Sequence, residues 1–292
     1  TMLKLVLPKG SLEKATFQLF EEADLTVRRS SEVDYRATID DPRIAEVRIL
    51  RPQEIPVYVA NGLFDVGIAG RDWIEETGSD VTSLGELKYS KVTAKPVKIV
   101  VAVPADSAYE SIKDLPQGVR VSSEYPELTK RHFAEAGVEA DVQLSYGATE
   151  AKAPEIVDAV VDLTETGSAL KAAGLKIIDE ILTSYTEIFA NNDSYEDPDK
   201  RKAMEQIKTL LDGVLDARGR VLMKLNVGAS ELDAVISVLP SMKAPTVNEL
   251  WDGGGFAVET VVNKSDINVL IPQLLDLGAT DVIELPISKI VP

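Results

Sequence analysis

Short aliphatic runs that end at a glycine turn and pass at once into a stretch of helical spacing recur through the first 180 residues. This unit restricts the fold more than any other feature of the chain. Met2 to Leu7 is short and apolar enough for a buried strand, Pro8-Lys9-Gly10 turns the chain, and Leu12, Ala15, Leu19 and Ala23 then share one helical face within Ser11 to Ala23. The order returns as a short helix at Pro56 to Asn61 stopped by Gly62, a buried strand at Phe64 to Ala69, a turn at Gly70 and a helix at Arg71 to Glu76. It returns again at Lys98 to Val103 and at Ile112 to Leu115. Its fullest form is the strand Ala159 to Leu163, the turn Thr164-Glu165-Thr166-Gly167 and a helix from Ser168 to Ala173. Repeated strand–helix alternation predicts α/β sheets whose ligands sit outside the carboxyl ends of the strands.

Around Thr186 to Asn192 the chain leaves this pattern, and after a polar loop, Asp193 to Asp199, a charged helix from Lys200 to Leu215 reads as a connector. A second grammar follows: strand 221–227, helix 230–239, a strand from Lys243 to about Asn248, a glycine turn at Gly253 to Gly255, a strand from Phe256 to Val262, a helix from Asp266 to Leu277 and a strand from Val282 to Leu285. The order βαββαβ is the ferredoxin-like arrangement, and it places a separate module at about 213–292. No short-period repeat is visible.

Charge and composition exclude several classes of function. With 48 acidic and 31 basic side chains the formal charge is −17, spread along the chain, which argues against a nucleic-acid or anionic-membrane partner. No Cys means no thiol nucleophile, disulfide or Cys-ligated metal, and agrees with a reducing cytoplasm. The lone His132 cannot build a multi-His metal site, and in Lys130-Arg131-His132, without a nucleophile elbow nearby, it reads as a surface or structural residue. The longest aliphatic run, Ile99 to Val103, is far too short to span a bilayer, and no signal peptide is apparent, so a soluble, unexported protein is expected.

Three turns carry glycine where a backbone must approach a ligand: Gly10, Gly70 and Gly167. Each opens a helix whose unpaired N–H groups suit an anion, although a glycine after a strand is as a rule only a turn. The third is the most informative, since Thr166, Gly167 and Ser168 line up two hydroxyls and several N–H groups beside Asp162 at the strand end. Such a loop suits a phosphate, and the carboxylate suits ribose hydroxyls or a water-bridged Mg²⁺. Asp158 lies four residues earlier, about 13 Å away if the segment is extended, so a cap role and a binding role are evenly matched. Lys9 precedes a helix start and suits a phosphate as a point charge. Arg51, between a strand-like run and the helix opened by Pro56, is a second such cation.

At these residues the chain resembles the ATP phosphoribosyltransferase family in its long form. The resemblance runs from about Leu3 to the C-terminus and rests on Leu-Pro-Lys-Gly at 7–10, Arg-Pro-Gln-Glu-Ile-Pro at 51–56, Asp-Val-Gly-Ile-Ala-Gly-Arg-Asp at 65–72, Asp-Ala-Val-Val-Asp-Leu-Thr-Glu-Thr-Gly-Ser-Ala-Leu at 158–170 and Ala-Pro-Thr-Val at 244–247. It implies a two-lobed catalytic part built like a type II periplasmic binding protein, followed by a ferredoxin-like (ACT-like) regulatory domain. The first lobe would span 1–97, completed by about 180–212, and the second 98–179. Phosphoribosyl pyrophosphate (PRPP) would be held by Asp158, Asp162, Thr164, Thr166, Gly167, Ser168 and Ala169; ATP and pyrophosphate would face Lys9, Gly10, Arg51, Gly70 and Asp72. The implied reaction is Mg²⁺-dependent transfer of the 5-phosphoribosyl group from PRPP to N1 of ATP. It opens histidine biosynthesis, in a cytoplasmic homo-oligomer (dimer and hexamer) inhibited by histidine. Asn226, Thr246 and backbone around Ala257 are the expected histidine contacts. Two departures stand out: Ala169 replaces a usual Thr, removing a hydroxyl but not its N–H, and Ser11 replaces a usual Arg, removing a charge. The rivals are a non-catalytic amino-acid-binding or regulatory protein of the same fold and a prephenate-dehydratase-like enzyme, although the Thr-Arg-Phe run of the latter is missing.

Overall fold

A computed structural model describes residues 2–89, 97–240, 242 and 244–292. The chain divides into two compact units, residues 1–21 with 25–208 and residues 22–24 with 209–292.

The first unit contains two sheets. Its opening part runs β1 (Leu3–Pro8), α1 (Glu13–Glu22), β2 (Val27–Arg28), β3 (Arg36–Ile39), β4 (Ile44–Leu50), α2 (Ile55–Ala60), β5 (Val66–Gly70), α3 (Arg71–Thr77) and β6 (Thr82–Glu86). The chain then crosses to β7 (Val97–Pro104), β8 (Val119–Ser123), α4 (Pro126–Glu135), β9 (Ala140–Leu144), β10 (Ala159–Thr164), α5 (Ser168–Ala172) and β11 (Leu175–Ser184). It returns through β12 (Thr186–Ala190) to α6 (Asn192–Glu196) and α7 (Pro198–Ala217). Among the described residues the first sheet has the order β2-β3-β4-β1-β5-β12-β6 and the second β11-β7-β10-β8-β9. Two crossings between two sheets make the two-lobed, periplasmic-binding-protein-like arrangement.

β1 and β5 are central and covered on both faces, which is why they read as near-continuous apolar runs. β4, β1 and β5 are mutually parallel, so their carboxyl ends, at Leu50, Pro8 and Gly70, lie along one edge. β8, β9 and β10 are parallel in the second sheet. Its core joins Ile99, Val101 and Val103 to Val119, Val121 and Phe133.

Three sequence expectations change. The segment 112–115 is no strand–turn–helix unit but a single 3₁₀ turn, Ile112–Asp114, because Ser111 and Asp114 close a capping box around it. The stretch Thr186 to Asn192 does not leave the α/β pattern: β12 is fully buried and pairs with β5 and β6. The helix read from Lys200 starts earlier, at Pro198, where proline's fixed φ suits a first turn.

The second unit carries β13 (Arg220–Val227), α8 (Leu232–Val238), β14 (Thr246–Glu249), β15 (Phe256–Asn263), α9 (Ile267–Asp276) and β16 (Thr280–Pro286). The all-antiparallel sheet order β14-β15-β13-β16 is the ferredoxin-like one. Strict alternation in β13 turns Val221, Met223, Leu225 and Val227 toward Val235, Leu270 and Leu274. Lys243, the expected start of β14, lies outside the described residues, and the strand observed begins at Thr246.

Candidate active site

A cleft of about 370 Å³ opens between the two sheets of the first unit. Ser11, Pro52, Gly70 and Asp72 line it from the first sheet, Tyr125, Leu163 and Glu165 from the second, and Ser184, Tyr185 and Thr186 from the crossing between β11 and β12.

The first wall follows from the parallel strand ends. Lys9 and Gly10 extend β1, and the Lys9 N–H donates to the Leu50 carbonyl at 2.7 Å, which ties the β1 turn to the end of β4. Arg51 follows β4, is exposed, and its carbonyl accepts from Glu54 N–H at 3.0 Å. Gly70 ends β5 and caps α3; a Cβ there would run into Asp72 Oδ1. Lys9, Gly10 and Arg51 stand at the cleft edge, and their neighbours Ser11 and Pro52, rather than they themselves, line it.

Asp72 is 7% exposed and is held from two directions. Tyr125 Oη donates to its Oδ2 at 2.6 Å, and its own N–H donates to Ser184 Oγ at 3.1 Å. Burial pushes the Asp72 carboxyl above its usual range, against hydrogen bonds from Tyr125 and Ser184 that favour the ion. Burial, together with the charge of Asp72, pushes the Tyr125 phenol upward as well. Trp73 packs on Tyr125 with ring centroids 4.8 Å apart. One helical turn on, the Glu76 carboxylate accepts the N–H groups of Glu127 and Leu128 at 3.2 and 2.8 Å, and Arg131 donates to the Glu75 carbonyl. α3 of one sheet is thereby clasped to the start of α4 of the other.

The second wall is the turn after β10. Gly167 adopts φ +76°, a left-handed conformation that disfavours any residue with a Cβ. Its N–H donates to Thr164 Oγ1 at 2.8 Å, while Thr166 Oγ1 and Ser168 Oγ bond each other at 2.8 Å. Thr166, Ser168 and Ala169 are exposed. Asp162, higher on β10, is only partly buried; burial raises its pKa, and the negative charges of Glu150 and Glu124 raise it further.

Asp158 is placed apart from this loop. It precedes the first residue of β10, at the strand's opposite end, and grips Arg120 through Nε at 3.2 Å and Nη2 at 3.0 Å. This clamp accounts for the residue as an anchor of β10 against β8. His132 is likewise structural in setting, its Nε2 2.7 Å from Asp179 Oδ2.

Sequence reasoning missed Tyr125, Trp73 and Ser184. A usable signal existed for Tyr125: Val-Ser-Ser-Glu-Tyr-Pro is a strand running into a helix that proline opens, the same unit as at the other turns.

In the second unit, Asn226 and Ala257 are direct cross-strand partners, and Thr246 pairs with Glu259, two residues beyond Ala257. Alternation puts all three on the sheet face opposite α8 and α9. Asn226 Nδ2 donates to Asp281 Oδ2 at 3.3 Å.

A family model described as ATP phosphoribosyltransferase matches residues 51–213, and one described as the HisG C-terminal domain matches residues 217–289. The ATP phosphoribosyltransferase of Pelotomaculum thermopropionicum is 45% identical over 292 residues, covering 99% of this chain and 99% of that protein. Its counterpart in Nitratidesulfovibrio vulgaris is 46% identical over 292 residues, covering 100% and 99%. A solved structure, the ATP phosphoribosyl transferase (HisG:HisZ) complex from Thermotoga maritima, superposes with a TM-score of 0.61 at 25% identity, covering 72% of this chain and 97% of that one.

Proposed function

The chain belongs to the ATP phosphoribosyltransferase family, pentosyltransferases of the first step of histidine biosynthesis, and from that premise we propose how its cleft carries the transfer. The substrates are PRPP and ATP, the products N1-(5-phosphoribosyl)-ATP and pyrophosphate. The observation that carries this reading is the turn at 164–168: its hydroxyls bond within the turn, and its Glu165 and the preceding Leu163 line the same cleft as Gly70 and Asp72. Thr164, Thr166, Ser168 and the N–H groups through Ala169 would take the 5′-phosphate, and Asp162 the ribose hydroxyls. Lys9, Gly10, Arg51 and Gly70 would meet the ATP and pyrophosphate side. The adenine nitrogen is itself the nucleophile, so the chain's task is to align two substrates and to place donors where negative charge builds on the leaving group. This suits a site without a free histidine or cysteine.

Mg²⁺ would neutralise the departing pyrophosphate. Asp162 fits such a cation, because burial and the charges of Glu124 and Glu150 already disfavour its lone negative charge. Among the described residues no group of three or more carboxylates or histidines converges on a metal, so the ion would be held largely by substrate phosphates. Pyrophosphate release from ATP plus PRPP, abolished by EDTA and restored by Mg²⁺, is the expected result. No release, or full release in EDTA, would sink the reading; the former would favour a non-catalytic binding protein.

Residues 209–292 would carry feedback control in a cytoplasmic homo-oligomer, with histidine bound around Asn226, Thr246 and Ala257. Such control requires histidine to favour one of two global states by about 1 to 3 kcal/mol. Millimolar histidine should slow the intact enzyme and leave a chain ending at Ala217 unaffected, with sedimentation of both chains to follow assembly. Equal inhibition of the shortened chain would remove the sensor from this unit.

A further inference from the structure

β8, β9 and β10 are parallel neighbours in the order β10-β8-β9, so the loops that follow them leave the second sheet along one edge. The loop after β8 brings Tyr125 to the cleft, and the end of β10 with its turn brings Leu163 and Glu165. Residues 145–157, after β9, belong to the same edge: the Ser145 N–H donates at 2.8 Å to the carbonyl of Ser123, the last residue of β8. A 3₁₀ turn within this loop, Thr149–Ala151, lies against β10, and the charge of Glu150 is one of those that raise the Asp162 carboxyl.

Lys152, just past that turn, is held at its tip. Its Nζ donates to Ser145 Oγ at 2.7 Å, and Ser145 Oγ lies 2.7 Å from Thr149 Oγ1 and 3.4 Å from the Gly147 carbonyl. An ammonium can only donate, so Ser145 accepts from Lys152 and turns its own proton to Thr149 or Gly147. Ser145 and Thr149 are 4% and 2% exposed, which makes the anchor rigid. It supplies no negative charge. The second lobe has three half-buried lysines, of which Lys98 and Lys176 sit 2.7 and 2.9 Å from the carboxylates of Glu180 and Glu110. Among the described residues no carboxylate pairs with Lys152, although the chain carries 48 acidic side chains. A half-buried ammonium has lost part of its hydration, and one neutral hydroxyl restores only part of that loss. Two of its N–H donors remain for an anion, and the rotamer freedom that a lysine loses on binding is already gone.

We infer that Lys152 is a catalytic residue of the phosphoribosyl transfer, touching the pyrophosphate of PRPP from the second sheet; the inference rests on the reading of the cleft given above. In that reading the turn at 164–168 takes the 5′-phosphate. β9 lies two strand spacings, about 10 Å, from β10, so a cation at the end of β9 serves the other end of the ribose, where pyrophosphate leaves. Lys9 and Arg51, the cations expected there, both follow strands of the first sheet, and Lys152 adds one from the second. As the C1′–O bond breaks, its electron pair passes to the pyrophosphate oxygen while adenine N1 bonds C1′. Lys152 donates hydrogen bonds to the departing group and transfers no proton.

Equilibrium dialysis of the full chain with Mg²⁺, against PRPP and against ribose 5-phosphate, which lacks the pyrophosphate, tests the contact. Lys152→Met should weaken PRPP binding at least about tenfold and leave ribose 5-phosphate within about twofold. Lys152→Arg, which keeps the charge, should fall between Lys152→Met and the unmodified chain. Ser145→Ala frees the ammonium without removing it and should weaken PRPP by about threefold. The ligand-free thermal midpoint of Lys152→Met should not fall, because a half-buried charge without a counter-ion has been removed. In steady-state assays the same variant should lose about 10 to 10² in kcat with the KM for ATP unchanged. Unchanged PRPP binding in Lys152→Met overturns the contact. Equal weakening of PRPP and ribose 5-phosphate also overturns it, since the loop would then have collapsed rather than lost one donor. An unmodified chain that binds no PRPP would instead defeat the reading of the cleft, and this inference with it.

Discussion

The two walls of the cleft are built on opposite terms. On one, the buried Asp72 bonds Tyr125 and Ser184 across from the other sheet, and α3 is clasped to α4 through Glu76. On the other, the turn at 164–168 is largely exposed and its hydroxyls bond within the turn. A satisfied, desolvated network fixes positions, because any displacement leaves a buried group unpaired. Exposed hydroxyls and N–H groups can exchange their local bonds for a ligand's oxygens at little cost. The buried network therefore sets how the two sheets face each other, while the exposed turn is the part of the cleft that our proposal gives to the 5′-phosphate. The family resemblance groups Asp72 with the ATP and pyrophosphate contacts; its bonds to Tyr125 and Ser184 give it a positioning role as well.

Substitutions on either side separate these roles. The largest effect is expected for Gly167→Val. At φ +76° any Cβ is strained, and here it would also press on Ile177 Cδ1 at 3.3 Å. Turnover should fall by about 10² to 10³ for a misaimed donor, with stability reduced by only about 1 to 2 kcal/mol. Steady-state rates beside circular dichroism would check both, and a folded, fully active variant would take this loop out of the site.

An intermediate effect, on stability more than on binding, is expected at the clasp. Because the folded Asp72 pKa lies above its unfolded value, the native state holds the proton in the window between them, and stability falls as pH rises from the unfolded value through the folded one. Tyr125→Phe strips the carboxylate of its donor and should cost about 1 to 3 kcal/mol, more at pH 7 than at pH 4. Asp72→Asn should be no less stable than the unmodified chain at pH 7 and should lose this part of the pH slope. Urea unfolding at the two pH values decides; equal losses for Tyr125→Phe at both would mean that the phenol does not stabilise a charged Asp72. The smallest effect is expected at Asp158. Asp158→Asn weakens an exposed clamp at the far end of β10, so turnover should stay unchanged within assay error, and a clear loss would return Asp158 to the binding wall.

Much of this architecture was legible in the sequence because its signals are local. An aliphatic run bounded by Gly or Pro marks a buried strand whatever it pairs with, and this located β1, β5, β7 and β10, the turns at their carboxyl ends and the βαββαβ module. Very short strands and strands without a clean period were not legible. β11 is a ten-residue strand with two register shifts, and its sequence, Leu-Lys-Ile-Ile-Asp-Glu-Ile-Leu-Thr-Ser, has no clean period. β2 is two residues long and acquires meaning only from its neighbours.

The sequence by itself determined which backbone turns can approach a phosphate, since left-handed glycine and hydroxyl-rich loops are properties of a few consecutive residues. Only the tertiary structure decided what those turns face. Tyr125 and Asp72 are 53 residues apart and belong to different sheets, and Arg36 meets Arg48 through strand register. Burial raises the carboxyls of Asp72 and Asp162, and burial is set by the packing of distant segments, which no spacing along the chain encodes.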